Sequence, residues 1–183
     1  MPDLREQLQQ CFQGRVCLMG LGNVDYADDG FGVRLVEALA KAEGRNPRRE
    51  GLGGRAGTGM NLAECRTQYV IAGTAPERFV GGAGGVGCDH LLFVDAVDFG
   101  GTPGSAILLD SEQIVARYPQ ISTHKISLGL LAKWAEANGT TQAWLLGVQP
   151  ESLKPGGELT LAVRDTLELL LELVRDVSLE VMA

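Results

Sequence analysis

The sequence predicts an α/β fold: three layers, with a twisted, mostly parallel sheet of about five strands between helices on both faces. Two observations carry this. Short apolar runs end abruptly in glycine-rich or acidic turns, as buried parallel strands do, and stretches of helical periodicity separate them. With 183 residues, 45% of them apolar, the chain can bury one sizeable core, so residues 1–183 read as a single domain.

A leading helix is expected over residues 3–12, where Leu4, Leu8, Cys11 and Phe12 share one face. Residues 16–19 form the first strand, closed by Gly20-Leu21-Gly22-Asn23. Phe31, Leu35, Val36 and Leu39 then recur at helical spacing behind the acidic turn Asp28-Asp29-Gly30, which marks the first crossover helix. Residues 44–68 carry Arg45, Arg48, Arg49, Arg55 and Arg66 among glycines without an apolar period, and read as a loop insertion with at most a turn of helix over 60–65. Further strands are expected at 69–71, 91–94, 106–109 near the sheet edge, and 144–148. Helices are expected over 124–137, capped by Ser122 or Thr123, and over 159–177.

Composition narrows the function. A formal charge of −7 opposes attraction to nucleic acid or anionic membrane, and no apolar run approaches the length of a membrane span. Cys11, Cys17, Cys65 and Cys88 have neither C-x-x-C spacing nor the density of a disulfide framework. The N-terminus lacks a signal pattern, so the expectation is a cytoplasmic monomer whose partner is another protein or a small molecule.

In a parallel sheet, functional groups gather beyond the carboxyl ends of the strands. Three polar side chains fall there: Asp29 after the first strand, Asp95 ending the strand 91–94, and His124 at the start of a helix. Two carboxylates and an imidazole suit an open transition-metal site. Each also has a plainer reading, with Asp28 and Asp29 as helix caps, Asp95 closing a turn, and His124 a solvated helix-start residue. The other histidine, His90, precedes its strand and belongs at the opposite end of the sheet. Gly20-Leu21-Gly22-Asn23 resembles the start of a dinucleotide fingerprint, but Asp25 stands where a small residue is required and the acidic pair would repel a pyrophosphate, so no nucleotide cofactor is expected. The glycines instead allow close approach of backbone, including a partner's extended chain. No G-x-S-x-G elbow occurs, and Cys88 has only His90 close by, so serine and cysteine nucleophiles find little support.

Taken together, Met19 to Asn23, Ala27-Asp28-Asp29-Gly30-Phe31-Gly32-Val33-Arg34, Gly73 to Glu77, Leu92 to Ala96, Ser122-Thr123-His124-Lys125 and Leu146 to Pro150 resemble the maturation endopeptidases of nickel-iron hydrogenases. The resemblance implies a twisted sheet between helices and removal of a C-terminal peptide from the hydrogenase large-subunit precursor after nickel insertion. It implies that Asp29, Asp95 and His124 are the catalytic, metal-contacting residues, with Gly20, Gly22, Asn23, Asp28 and Gly30 in the supporting loop and Asp28 a capping neighbour. The nickel would come with the precursor. One departure stands out: the family's Asp-Gly-Gly-Thr turn is Ile71-Ala72-Gly73-Thr74 here, which leaves a non-catalytic, precursor-binding chaperone as the alternative.

Overall fold

The computed structural model describes residues 3–49, 66–80, 87–118, 126–137 and 139–182. Six strands form one sheet among them: β1 (Val16–Leu21), β2 (Arg48–Arg49), β3 (Thr67–Gly73), β4 (His90–Ala96), β5 (Ala106–Asp110) and β6 (Gln142–Val148). Their order is β2-β3-β1-β4-β6-β5, and every pairing is parallel except that of β5, which lies antiparallel on β6 at the edge. The expected mostly parallel sheet between helices is therefore present.

Alternation along the strands divides the core. Leu18, Leu92, Val94 and Leu146 point to one face, covered by α1 (Leu4–Cys11), α2 (Phe31–Ala42) and α6 (Leu161–Met182). Cys17, Met19, Leu91, Phe93 and Leu145 point to the other, covered by α3 (Glu77–Val80), α4 (Ser111–Arg117) and α5 (Leu128–Glu136). Because both faces are buried, the strands read as apolar runs. Among the described residues no helix is long and apolar enough to cross a membrane.

Several expectations need correction. Residues 44–68 are not uniformly loop: Arg48 and Arg49 pair with Val70 and Ile71 as the short edge strand β2, and β3 already begins at Thr67. Arg49 is held by Glu37, Arg48 lies over the Phe79 ring at 5.9 Å, and Arg45 Nη1 donates to the Thr67 carbonyl at 2.7 Å. The helical turn suggested at 60–65 lies outside the described residues. Helix α5 opens at Leu128, capped by Ser127, whose Oγ accepts the Leu130 N–H at 3.1 Å, so neither Ser122 nor Thr123 is its cap. Helix α4 was not expected, although Asp110 and Gln113 form a reciprocal capping box at its start.

The close approach of α2 to the sheet depends on glycine. A Cβ on Gly32 would stand 2.0 Å from the Val94 carbonyl oxygen, and one on Gly20 would stand 2.6 Å from that of Gly32. Strand and helix therefore meet backbone to backbone. This brings the loop after β1 directly over the end of β4.

Candidate active site

The order of strands turns back between the parallel neighbours β1 and β4: β1 is followed by β2 and β3 on one side, whereas β4 is followed by β5 and β6 on the other. Such a switch point opens a crevice at the carboxyl ends of the strands. Asp29 follows β1 in a 3-10 turn, Ala27–Gly30, and Asp95 is the penultimate residue of β4. Both are half-buried.

Gly22 lies between the backbone of Asp29 and the carboxylate of Asp95. Its φ is +102°, and a Cβ there would lie 1.8 Å from the Asp29 carbonyl oxygen and 3.6 Å from Asp95 Oδ1. The close approach allowed by glycine is thus made by the chain's own loop. Asp29 Oδ2 accepts the Asn23 N–H at 2.8 Å, which orients the carboxylate within its loop, and Asp95 Oδ1 accepts the Ala96 N–H at 2.9 Å. Gly73, with φ +57°, closes the other flank, its carbonyl accepting the Gly22 N–H at 3.0 Å.

Asp28 is not a helix cap. It is fully buried and accepts the backbone N–H groups of Glu151 at 2.9 Å, Ser152 at 2.9 Å and Thr160 at 2.7 Å, together with the Thr160 hydroxyl at 3.0 Å. Its own N–H donates to the Ser152 carbonyl at 3.1 Å, and the Gly156 N–H donates to that of Asp25 at 2.7 Å. The residue preceding α2 is Gly30, which caps nothing with a side chain. Asp28 therefore stitches the loop bearing Asp29 to the loop after β6. Ala27, just before it, is the one non-glycine with positive φ among the described residues, at +29°.

Gln149 performs the matching task for the loop after Asp95. Its Oε1 accepts the N–H groups of Phe99 at 3.0 Å and Gly101 at 3.1 Å, and its Nε2 donates to Asp98 Oδ1 at 3.2 Å. Both carboxylate loops are thus fastened to the segment that leaves β6. Asp28 and Gln149 lie within the matched sequence segments, but their partners are too distant in sequence for spacing to reveal.

Tyr118, at the end of α4, packs on the face to which Asp95 belongs by alternation with Leu91 and Phe93. Its Oη is buried without a hydrogen-bond partner. Burial pushes the phenol's pKa up; the Arg117 cation opposes this, and the Asp98 and Asp95 carboxylates reinforce it, so the hydroxyl stays protonated. His90 lies at the far end of β4, as expected, its Nδ1 accepting the Trp144 Nε1–H at 3.1 Å. His124 lies outside the described residues, among which no group of three His, Cys, Asp or Glu side chains stands ready to hold a metal.

Comparison with known proteins shows the family of the chain. The family model described as HycI, hydrogenase maturation protease, matches residues 60–177. The chain belongs to the hydrogenase maturation protease family. It is 30% identical over 164 residues to the Hydrogenase 2 maturation protease of Escherichia coli (strain K12), covering 87% of this chain and 88% of that protein. It is 31% identical over 159 residues to the hydrogenase expression/formation protein HoxM of Azotobacter vinelandii, covering 84% of this chain and 67% of HoxM. The crystal structure of a [NiFe] hydrogenase maturation protease HycI from Thermococcus kodakarensis KOD1 superposes with a TM-score of 0.71 at 26% identity, covering 94% of this chain and 98% of that one.

A hydrogenase maturation protease is an endopeptidase, and this one departs from the family's usual turn at a definite place. Ile71, standing where that turn has an aspartate, is buried in the core, paired with Gly20 and Arg49 across the sheet. The end of β3 therefore supplies the crevice with backbone from Gly73 but no carboxylate at position 71.

Proposed function

We propose that this hydrogenase maturation protease removes the C-terminal extension of a nickel-iron hydrogenase large-subunit precursor after nickel insertion, using Asp29, Asp95 and His124 to read the nickel carried by the substrate. The observation that carries this reading is that the backbone of Asp29 and the carboxylate of Asp95 flank Gly22 at the switch point of the sheet. Two carboxylates at one crevice provide hard oxygen donors that complement thiolates supplied by the precursor. A carboxylate there can also take a proton from the attacking water and return it to the leaving amine as the peptide bond breaks. The nickel is part of the substrate, and the protease itself contributes the oxygen and imidazole donors that sense it.

The test is a mass measurement of the large subunit after incubation with the protease. Nickel-loaded precursor is expected to shorten and nickel-free precursor to stay intact; equal cutting of both would remove the metal-reading role. Binding without shortening would identify a chaperone instead. Asp29→Asn is expected to slow processing about 100-fold or more.

A further inference from the structure

Among the described residues, two buried side-chain polar atoms lack a hydrogen-bond partner, and one of them is Arg34 Nε. Arg34 sits on the first turn of α2 and leans back toward the helix N-terminus, as long helical side chains do. A Cβ on Gly30 would lie 3.3 Å from its Nε and 3.0 Å from Val24 Cα, so the side chain runs under the loop that carries Asp29. This one N–H is thus desolvated without an acceptor, which is costly, while the half-buried residue keeps the rest of its side chain partly open.

Three carboxylates on the same loop and helix are engaged elsewhere. Asp28 is taken up by Glu151, Ser152 and Thr160, Asp29 by the Asn23 N–H, and Glu37, one turn along α2, by Arg49. Other arginines do find partners: Arg5 meets Asp176 and Glu180, Arg15 meets Asp89, and Arg66 reaches the carbonyls of Gly14 and Val181. Arg34 forms no ion pair among the described residues, and it is only half-buried, so part of the side chain stays open to an incoming chain.

We propose that Arg34 is a substrate-positioning residue whose guanidinium donates hydrogen bonds to main-chain carbonyl oxygens of the precursor segment crossing the 22–30 loop, holding that segment against Asp29. This rests on the endopeptidase reading above. Neutral carbonyl acceptors fit better than a free anion, because Asp28, Asp29 and Asp95 would repel an anion at this crevice. Val24 and Tyr26, exposed at 40% and 41% on the same loop, offer apolar contact to the side chains flanking such a segment.

The experiment compares wild type, Arg34→Met and Arg34→Lys in the full chain, using nickel-loaded precursor. It reads kcat and KM, precursor Kd by calorimetry, and Tm. Arg34→Met is expected to raise KM and Kd about tenfold or more while Tm stays within about 2 °C of wild type or rises, since no native bond is lost. Arg34→Lys is expected to recover part of the affinity, having a charge without the planar fork. A rise of less than about threefold in Kd, or a Tm fall beyond about 5 °C, would overturn the assignment. Wild type that binds but does not cut the precursor would refute the proposed activity and leave Arg34 to be judged by Kd alone. Wild type that neither binds nor cuts would refute both.

Discussion

Asp28 grips Thr160 twice, through its backbone N–H at 2.7 Å and its hydroxyl at 3.0 Å, across 132 positions of sequence. Two more N–H groups, from Glu151 and Ser152, complete the set around one buried carboxylate. Asp28→Asn would turn an amide N–H₂ toward these donors and leave some of them unpaired. The expected result is a loss of about 2–3 kcal/mol in urea unfolding, together with loss of processing as the Asp29 loop comes free. Wild-type stability in this variant would remove Asp28 from its structural role.

Gly22→Ala should separate the site from the fold. Its Cβ would collide with the Asp29 carbonyl oxygen, and its φ of +102° is one that L side chains rarely adopt. A destabilisation of about 2 kcal/mol is expected, with precursor processing reduced about 100-fold or more even at temperatures where the variant is fully folded. Circular dichroism melts beside processing assays would distinguish the two effects.

Tyr118→Phe should cost almost nothing in stability. The hydroxyl it removes is buried without a partner, so the change relieves a desolvated polar group and keeps the ring. Unfolding free energy is expected to stay within about 0.5 kcal/mol of wild type or to increase. A loss above about 1 kcal/mol would reveal a native bond to Oη.

Acid should weaken the fold through His90. Burial pushes its pKa below the ordinary 6.5, with the Asp89 carboxylate opposing, and the Trp144 N–H requires an unprotonated Nδ1 acceptor. The unfolded chain therefore binds this proton more readily than the folded one, so stability falls as pH drops through about 6.5 and keeps falling until the folded-state pKa is passed. Equilibrium unfolding between about pH 7 and pH 5.5 should show that decline, and His90→Gln should flatten it. A decline unchanged by His90→Gln would assign it to other groups.

The strands were legible because a sheet buried on both faces demands uninterrupted apolar runs, and 16–19, 91–94 and 144–148 are such runs. Strand β2 was not, since Arg48 and Arg49 are exposed and carry no apolar signal; they pair because β3 presents an open edge. Helix α4 carried a readable signal in Asp110 and Gln113 that the apolar pattern alone passed over. The places of Asp29 beyond β1 and of Asp95 near the end of β4 were legible from the apolar runs that precede them. The role of Asp28 is not legible, because an acidic residue before a helix looks the same whether it caps that helix or binds a loop more than a hundred residues away.

The sequence by itself determined the layered α/β architecture, the strand ends at which the two carboxylates stand, and, through its motifs, the family. These follow from local properties: apolar periodicity, glycine at crowded turns and acidic residues beyond strands. Only the tertiary structure decided that Gly22 lies between the Asp29 backbone and the Asp95 carboxylate, that Asp28 and Gln149 fasten both loops to the segment after β6, and that Arg34 Nε has no acceptor among the described residues. Those relationships depend on hydrogen-bond donors and acceptors far apart in the chain, and they exist only once the sheet has set the distances between its loops.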